Sequence, residues 1–94
     1  MINRIVKMTF KPENTETFEN LFLLVREKII SFEGCLGVKL LRDVNNPAIY
    51  FTYSLWQDEE SLHRYRKSAL FDDTWKKTKA LFSDKPEAWS LIEQ

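Results

Sequence analysis

The sequence predicts an α+β domain with the ferredoxin-like, split βαββαβ order and a four-stranded antiparallel sheet. Segments with strand-like alternation and segments with helical spacing follow one another as strand, helix, strand, strand, helix pair and strand. A length of 94 residues suits a single domain that spans residues 1–94. The segment from Ala48 to Trp56 has no clearly polar face, which is typical of a strand covered on both sides. This segment is therefore predicted to be the central strand.

The first strand and the first helix have clear patterns. Ile2 to Phe10 alternates with period two, and Pro12 ends the strand because proline cannot donate a ladder hydrogen bond. A helix is predicted from Asn14 to Phe32, with Asn14 or Thr15 as its cap and Gly34 ending it in a left-handed conformation. Its buried stripe follows helical spacing and consists of Phe18, Leu21, Phe22, Val25, Ile29 and Phe32.

A hairpin, two helices and a last strand complete the chain. Leu36–Asp43 is predicted to be a strand, and Val44–Pro47 has the composition of a turn that leads into the central strand. Helices are predicted at Asp58–Lys67 and Ser68–Phe82, each beginning with its capping residue. Glu87–Glu93 is the predicted last strand.

The order of these elements predicts which face of the sheet is covered. The first and third strands are expected to be central, and right-handed crossovers place all helices on one face. The opposite face carries apolar residues and has no helix to cover it. The sequence therefore predicts a homodimer in which two sheets pack face to face.

Composition limits the class of function. Fourteen basic residues balance 14 acidic ones, and a net charge of zero argues against nucleic-acid binding. The one cysteine, Cys35, excludes an internal disulfide and is interpreted as a plain buried thiol in a reducing compartment. No signal peptide or membrane span is found, so the expected location is cytoplasmic, without membrane association. Aromatic residues, at 14%, are numerous enough that some are expected to line a pocket or a subunit contact.

Two stretches carry a family resemblance. One is the link Phe32–Gly37, and the other begins with Trp56–Leu62 and continues through Tyr65, Ser68, Phe71 and Trp75. In this order and spacing the chain resembles the antibiotic biosynthesis monooxygenase family of the dimeric α+β barrel superfamily, from the first strand to Trp89. The resemblance implies a homodimer with a ligand cavity between sheet and helices in each subunit. Members of the family include cofactor-free oxygenases of polyphenols or quinols, and haem-degrading enzymes.

The chain departs from the family pattern at positions that bear its chemistry. Many quinol-oxidising members carry a glutamate where this chain has Ser54, and two histidines where it has Tyr65 and Leu70. Haem-degrading members have a haem-ligating histidine at the position of Trp75, whose indole nitrogen has no lone pair for iron. Haem ligation in the family's manner is thus excluded there, and no cofactor is expected. Metal ligands at suitable spacing are also lacking, so no metal site is expected.

The predicted pocket combines the mixed row of the central strand with positions on the two later helices where, as the resemblance implies, the family builds its cavity. Its candidate residues are Thr52, Ser54, Trp56, Tyr65, Phe71 and Trp75. The hydroxyls of Thr52 and Ser54 either orient a ligand's polar groups or fill the interior at the dimer contact. Tyr65 is favoured as a pocket residue because a buried phenol needs a hydrogen-bond partner. Trp75 either lines the pocket or fills the core.

No catalytic residue is assigned from the sequence. His63, the only histidine, is interpreted as a surface residue rather than a general base. Arg64, Arg66 and Lys67 are interpreted as a solvated face, and Asn3 is a remaining candidate for contact with a substrate oxyanion.

Two hypotheses for the function follow. The first is a cofactor-independent monooxygenase or quinol oxidase that holds a small aromatic substrate in a dry pocket where molecular oxygen reacts with it. The second is a non-catalytic, stress-related or ligand-binding dimer that kept the fold without the chemistry. Oxygen uptake with hydroquinones in air separates them.

Overall fold

The computed structural model describes all 94 residues, in the predicted α+β architecture. The four strands are β1 (Ile2–Thr9), β2 (Cys35–Arg42), β3 (Ile49–Trp56) and β4 (Glu87–Leu91). They form one antiparallel sheet in the order β2-β3-β1-β4, so the prediction that the first and third strands are central is confirmed. The helices are α1 (Thr15–Ile30), α2 (Glu59–Arg66) and α3 (Ala69–Lys79), and a short 3₁₀ turn, Pro12–Asn14, precedes α1. None of these helices has the length and apolar character needed to cross a lipid bilayer.

The register of the central strands decides which side chains face the helices. β1 and β3 are antiparallel, with Ile2 opposite Trp56. Directly opposed side chains point to the same side of a sheet, and successive ones alternate. The even-numbered residues of both strands therefore face the helices, and the odd-numbered residues face away. β2 joins β3 with an irregularity between Cys35 and Gly37.

Two buried clusters join the helices to the sheet. The larger cluster consists of Met8, Phe10, Phe18, Phe22, Ile29, Val38 and Tyr50. The smaller one consists of Ile2, Trp56 and Leu62. Each large apolar side chain buried in this way stabilises the fold by roughly 1.5–3 kcal/mol. The α1 members of the core belong to the stripe predicted from helical spacing, and that stripe therefore faces the sheet.

The start of α1 differs from the prediction, because neither candidate residue caps it. Asn14 precedes the helix, but its side-chain amide donates a hydrogen bond to the carbonyl oxygen of Leu81 at 3.3 Å. The hydroxyl of Thr15 donates backwards to the carbonyl oxygen of Pro12 at 3.2 Å. Asn14 thus ties the beginning of α1 to the segment after α3 instead of closing its own helix.

The end of α1 also corrects a prediction. The helix ends at Ile30 rather than Phe32, and Gly34 lies in the following turn with φ +88°. A Cβ atom on Gly34 would lie 2.2 Å from Oγ of Ser61, and its carbonyl oxygen accepts a hydrogen bond from the backbone N–H of Gln57 at 2.8 Å. Glycine is required here for both its positive φ and this close approach. The turn consequently holds the start of α2 against the sheet.

Both predicted caps of the helix pair are confirmed. The Asp58 carboxylate accepts from the backbone N–H of Ser61 at 2.8 Å, and the Ser68 hydroxyl accepts from that of Phe71 at 3.1 Å. Caps of this kind contribute about 1 kcal/mol each. The chain therefore turns sharply between α2 and α3, and both helices lie over the same face of the sheet.

The odd-numbered face of the sheet has no helix over it. Apolar side chains from all four strands lie on this face: Ile5, Leu41, Phe51, Tyr53, Leu55, Trp89 and Leu91. Leu41, Trp89 and Leu91 are each between two-fifths and one-half exposed. We refer to this surface as the open face. The prediction that β3 has a bare apolar face in a single chain is confirmed.

Candidate active site

A cavity of about 260 Å³ lies between the sheet and the helices, and side chains from every helix and from the central strands line it. All six residues predicted for a pocket line this one cavity: Thr52, Ser54, Trp56, Tyr65, Phe71 and Trp75. The even-numbered row of β3 provides the floor, and α2 and α3 provide the roof. The structure therefore brings the predicted set together.

Aromatic rings form one continuous wall of the cavity. Tyr65 stacks on Trp56 at a centroid distance of 4.8 Å and contacts the edge of Phe71 at 5.3 Å. Phe71 in turn lies nearly parallel to Trp75 at 5.8 Å, and Trp75 meets the edge of Phe82 at 5.7 Å. Offset and edge contacts of this kind hold the rings in fixed orientations. The wall is therefore suited to a flat aromatic molecule.

Trp56 and Ser54 form a fixed pair on the floor. Trp56 is 0% exposed, and its indole N–H donates to Oγ of Ser54 at 3.0 Å. The Ser54 hydroxyl accepts this bond, which leaves its own proton free to be donated elsewhere. Thr52 lies two residues earlier in the same row and is partly buried. These two hydroxyls are the polar groups of the floor.

Two further hydroxyl groups on the roof have no partner within the chain. The Tyr65 hydroxyl makes no hydrogen bond, and burial, with a smaller effect of Cys35, raises the pKa of this phenol to about 12. Oγ1 of Thr74 is buried and likewise lacks a partner. At neutral pH the Tyr65 phenol remains protonated and can donate a hydrogen bond. Thr74, which the sequence did not indicate, also lines the cavity.

Several residues considered from the sequence lie outside the cavity. His63 is exposed on α2, as predicted. Asn3 lies on the open face, where Tyr53 donates a hydrogen bond to its side chain, so its proposed contact with a substrate oxyanion in the cavity is wrong. Cys35 is only partly buried, and burial raises the pKa of its thiol. A thiol with a raised pKa is not an activated nucleophile.

Charged side chains are few at the cavity. Arg4 of β1 and Arg66 of α2 both line it, as does Glu87 of β4. Arg66 is exposed, as expected for a solvated residue, and it also lines the cavity, which the sequence did not indicate. Nowhere in the structure do three His, Cys, Asp or Glu side chains converge in a way that could hold a metal ion.

The sequence profile described as antibiotic biosynthesis monooxygenase matches residues 1–77, which is most of the chain from β1 into α3. The chain belongs to this family. The resemblance drawn from its motifs is thereby confirmed. Membership in the family supports a monooxygenase-like kind of activity in general terms, without a substrate.

Solved structures share the fold of this family member over almost its whole length. A conserved protein from Methanosarcina mazei has a TM-score of 0.94 at 25% identity, covering 99% of this chain and 92% of that one. A structure described as an antibiotic biosynthesis monooxygenase has a TM-score of 0.92 at 19% identity, covering 100% and 99%. A protein from Bacteroides thetaiotaomicron, described as a possible oxidoreductase, has a TM-score of 0.83 at 19% identity, covering 96% of each chain. A comparison with curated proteins gives no significant match.

Proposed function

We propose that the protein is a cofactor-independent oxygenase or quinol oxidase that binds a small polyphenol or hydroquinone in the cavity between sheet and helices. The observation that carries this proposal is the aromatic wall facing hydroxyl groups that have hydrogen bonds to spare. Ligand pockets are largely apolar with a few polar groups that fix orientation. The volume of about 260 Å³ lies just below the roughly 300–1,000 Å³ of drug-sized sites. It therefore suits a molecule of one or two rings.

The proposed binding mode uses the wall for the ring and the hydroxyls for its oxygen atoms. Tyr65 and Trp75 face the ring, which excludes water from it. The protonated phenol of Tyr65 donates to one ring oxygen, and Thr52 and Ser54, which line the cavity, provide hydroxyls for the others. The protein's role is to orient and dehydrate an electron-rich ring.

The reaction proposed for a hydroquinone needs only molecular oxygen. The hydroquinone transfers two electrons and its two hydroxyl protons to one molecule of oxygen, and the products are a quinone and hydrogen peroxide. A ring CH₂ group flanked by phenols would instead become a carbonyl, with the second oxygen atom leaving as water. No imidazole lines the cavity to take the first proton. We therefore expect the rate to rise with pH as the substrate itself ionises.

Oxygen consumption tests the proposal. Wild-type protein with hydroquinone should take up oxygen faster than buffer does and form hydrogen peroxide in equal amount. Tyr65→Phe should weaken binding or turnover by about 2- to 10-fold, the usual value of one neutral hydrogen bond. Tyr53→Phe is the matched control, because it removes a phenol hydroxyl on the open face. Equal loss in both variants would show that the cavity hydroxyl has no special role.

A second candidate function is ligand binding without turnover. The observation that favours it is that no histidine lines the cavity, and that the one phenol there, Tyr65, has its pKa raised to about 12 and so stays protonated at neutral pH. In that case hydroquinone binds, and oxygen consumption stays at the rate of buffer alone. The same experiment, combined with a binding measurement, therefore decides between the two functions.

We also propose that a second copy of the chain covers the open face. The apolar side chains on this face come from all four strands, and two polar pairs are formed there, Asn3 with Tyr53 and Lys7 with Glu87. Lys39 of β2 also lies on this face and is exposed. The chain has zero net charge, so two copies do not repel each other overall. Sheet packing against sheet would bury this surface.

Analytical sedimentation at micromolar concentration should give a molecular mass of about twice the 11.2 kDa of one chain. Leu41→Lys should shift the protein towards monomer, because Leu41 is on the open face and 49% exposed in one chain. Leu24→Lys is the control, because this equally apolar residue is 75% exposed on α1, away from the sheet. A wild-type monomer, or dissociation by the control alone, would exclude the proposed interface.

A further inference from the structure

The arginines at the cavity differ from the others in this chain. Three of the five arginines have a carboxylate within ion-pair distance: Arg26 with Glu27 at 3.5 Å, Arg42 with Glu19 at 3.8 Å and Arg64 with Glu60 at 3.0 Å. Arg4 and Arg66 form no ion pair, and they are the two that line the cavity. The unpaired guanidinium groups are therefore concentrated at this one site.

The fold places these two groups together for local reasons. Arg4 is even-numbered on β1 and so points to the helix side, in the same row as Ile2 and Val6. Arg66 is the last residue of α2, one position after the cavity residue Tyr65. Burial, and then the charge of Arg66, lowers the pKa of the Arg4 guanidinium. Two charges of the same sign thus line one cavity.

No acidic side chain forms an ion pair with either arginine, although Glu59 and Glu60 line a separate surface depression with Arg66. Glu87 is the one acidic residue at the cavity, and it lies opposite Lys7 in the sheet, on the open-face side. Its carboxylate is 4.0 Å from the Lys7 ammonium group. Arg4 donates one hydrogen bond, to Oγ of Ser90 at 3.0 Å, which leaves most of its five N–H groups without a partner in the chain.

We propose that the aromatic ligand carries an anionic group, a carboxylate in the simplest case, which Arg4 and Arg66 bind together at one end of the cavity. This proposal rests on the proposed function, because it takes the aromatic wall as the site of the ring. Guanidinium groups bind carboxylates through paired, charge-assisted hydrogen bonds. An anion between two repelling cations removes that repulsion as well as adding attraction. The arginines then fix which way the ring points.

Two matched compounds test the charge requirement. Gentisate is a hydroquinone with a carboxylate that is ionised at neutral pH, and gentisamide is its neutral amide with the same ring and hydroxyl groups. Titration calorimetry with each should show that wild-type protein binds gentisate tighter by about tenfold or more. Added sodium chloride should weaken gentisate binding and leave gentisamide binding nearly unchanged.

Variants locate the effect on the two arginines. Arg66→Gln and Arg4→Gln should each lower the preference for gentisate, whereas Arg66→Lys should retain part of it. Arg64→Gln is the matched control, because it removes an arginine of the same helix that is paired with Glu60 and does not line the cavity. Ser90→Ala removes the hydrogen bond of Arg4 and keeps its charge, so it separates a structural role from an ion-binding one.

The outcomes are distinct. A preference for gentisate that is lost in the two glutamine variants and kept in Arg64→Gln and Ser90→Ala supports the proposal. Equal affinity for the two compounds in wild-type protein overturns it and leaves the aromatic pocket standing. Binding of neither compound overturns the proposed function and this inference with it. If the protein with both Arg4→Gln and Arg66→Gln still prefers gentisate over gentisamide, other groups bind the anion, and the proposal is overturned.

Discussion

Trp75 gives the sharpest test of whether the cavity is a functional surface or a packing defect. The ring is partly buried, and its aromatic neighbours are Phe71 at 5.8 Å and Phe82 at 5.7 Å. Its remaining surface includes a part that faces the cavity. Truncation to alanine therefore removes fewer packing contacts than truncation of a fully enclosed indole would.

The expected magnitudes follow from this difference in burial. A fully buried tryptophan costs about 3–5 kcal/mol of unfolding free energy when replaced by alanine. For Trp75→Ala we expect about 1–2 kcal/mol, since only part of its apolar area is removed from water. Trp56→Ala is the internal reference, because Trp56 is 0% exposed and also hydrogen-bonded to Ser54. It should reach the upper range, and Trp56→Phe provides a milder variant if the alanine protein does not fold.

Urea unfolding followed by far-ultraviolet circular dichroism measures both losses. Protein concentration must be held fixed, since the stability of a dimer depends on it. Gentisate binding is then measured per folded molecule, and Trp75→Ala should weaken it although the fold survives. A loss of stability as large as that of Trp56→Ala, with unchanged affinity, would assign Trp75 to the core and refute our assignment of the cavity wall.

Two further predictions concern the fold and the tyrosines. Gly34→Ala should lower the unfolding free energy by about 1–3 kcal/mol or more, because a side chain there requires a strained positive φ and collides with Ser61. Chemical denaturation measures this loss. A variant as stable as the wild type would contradict the close approach of Gly34 to Ser61. Burial raises the pKa of both Tyr50 and Tyr65 to about 12, so an ultraviolet titration should show two tyrosines ionising near that pH. Tyrosine in the unfolded chain ionises near pH 10, so the folded state holds more protons than the unfolded state between about pH 10 and 12. The unfolding free energy should therefore fall as the pH rises through this range. Unchanged stability there would show that folding does not raise the pKa of these phenols.

The strands could be predicted from the sequence because they depend on short-range periodicity, whereas the cavity wall was predicted with the help of the family resemblance. Alternation from Ala48 to Trp56 identified the central strand, and helical spacing placed Phe71 and Trp75 in one row of α3. The resemblance placed Tyr65 and Trp75 at the cavity. The six candidate residues therefore come together as predicted, whereas their role in binding stays a prediction.

Other features depend on contacts between distant segments and were missed. Asparagine is a common capping residue, but the side-chain amide of Asn14 donates a hydrogen bond to the carbonyl oxygen of Leu81, just after α3. Thr74 becomes buried without a partner only because α3 packs over the sheet. Arg66 is an exposed residue at the end of α2, and its place at the cavity depends on how α2 packs against the sheet.

Two positions on β1 could have been assigned by strand parity alone. Arg4 shares the row of Ile2 and Val6, so strand alternation alone places its charge on the helix side of the sheet. Asn3 belongs to the row of Ile5, which points away from the cavity. Applying the alternation to polar as well as apolar residues would have found the arginine and removed the asparagine.

A crystal structure of the protein with gentisate tests the central claim most directly, because it shows where the ligand lies and which way it points. We predict a ring between the sheet and the aromatic wall, in contact with Tyr65 and Trp75, with its carboxylate against Arg4 and Arg66. A ligand bound elsewhere, such as on the open face, or a ring in the cavity whose carboxylate points away from both arginines, would contradict this account.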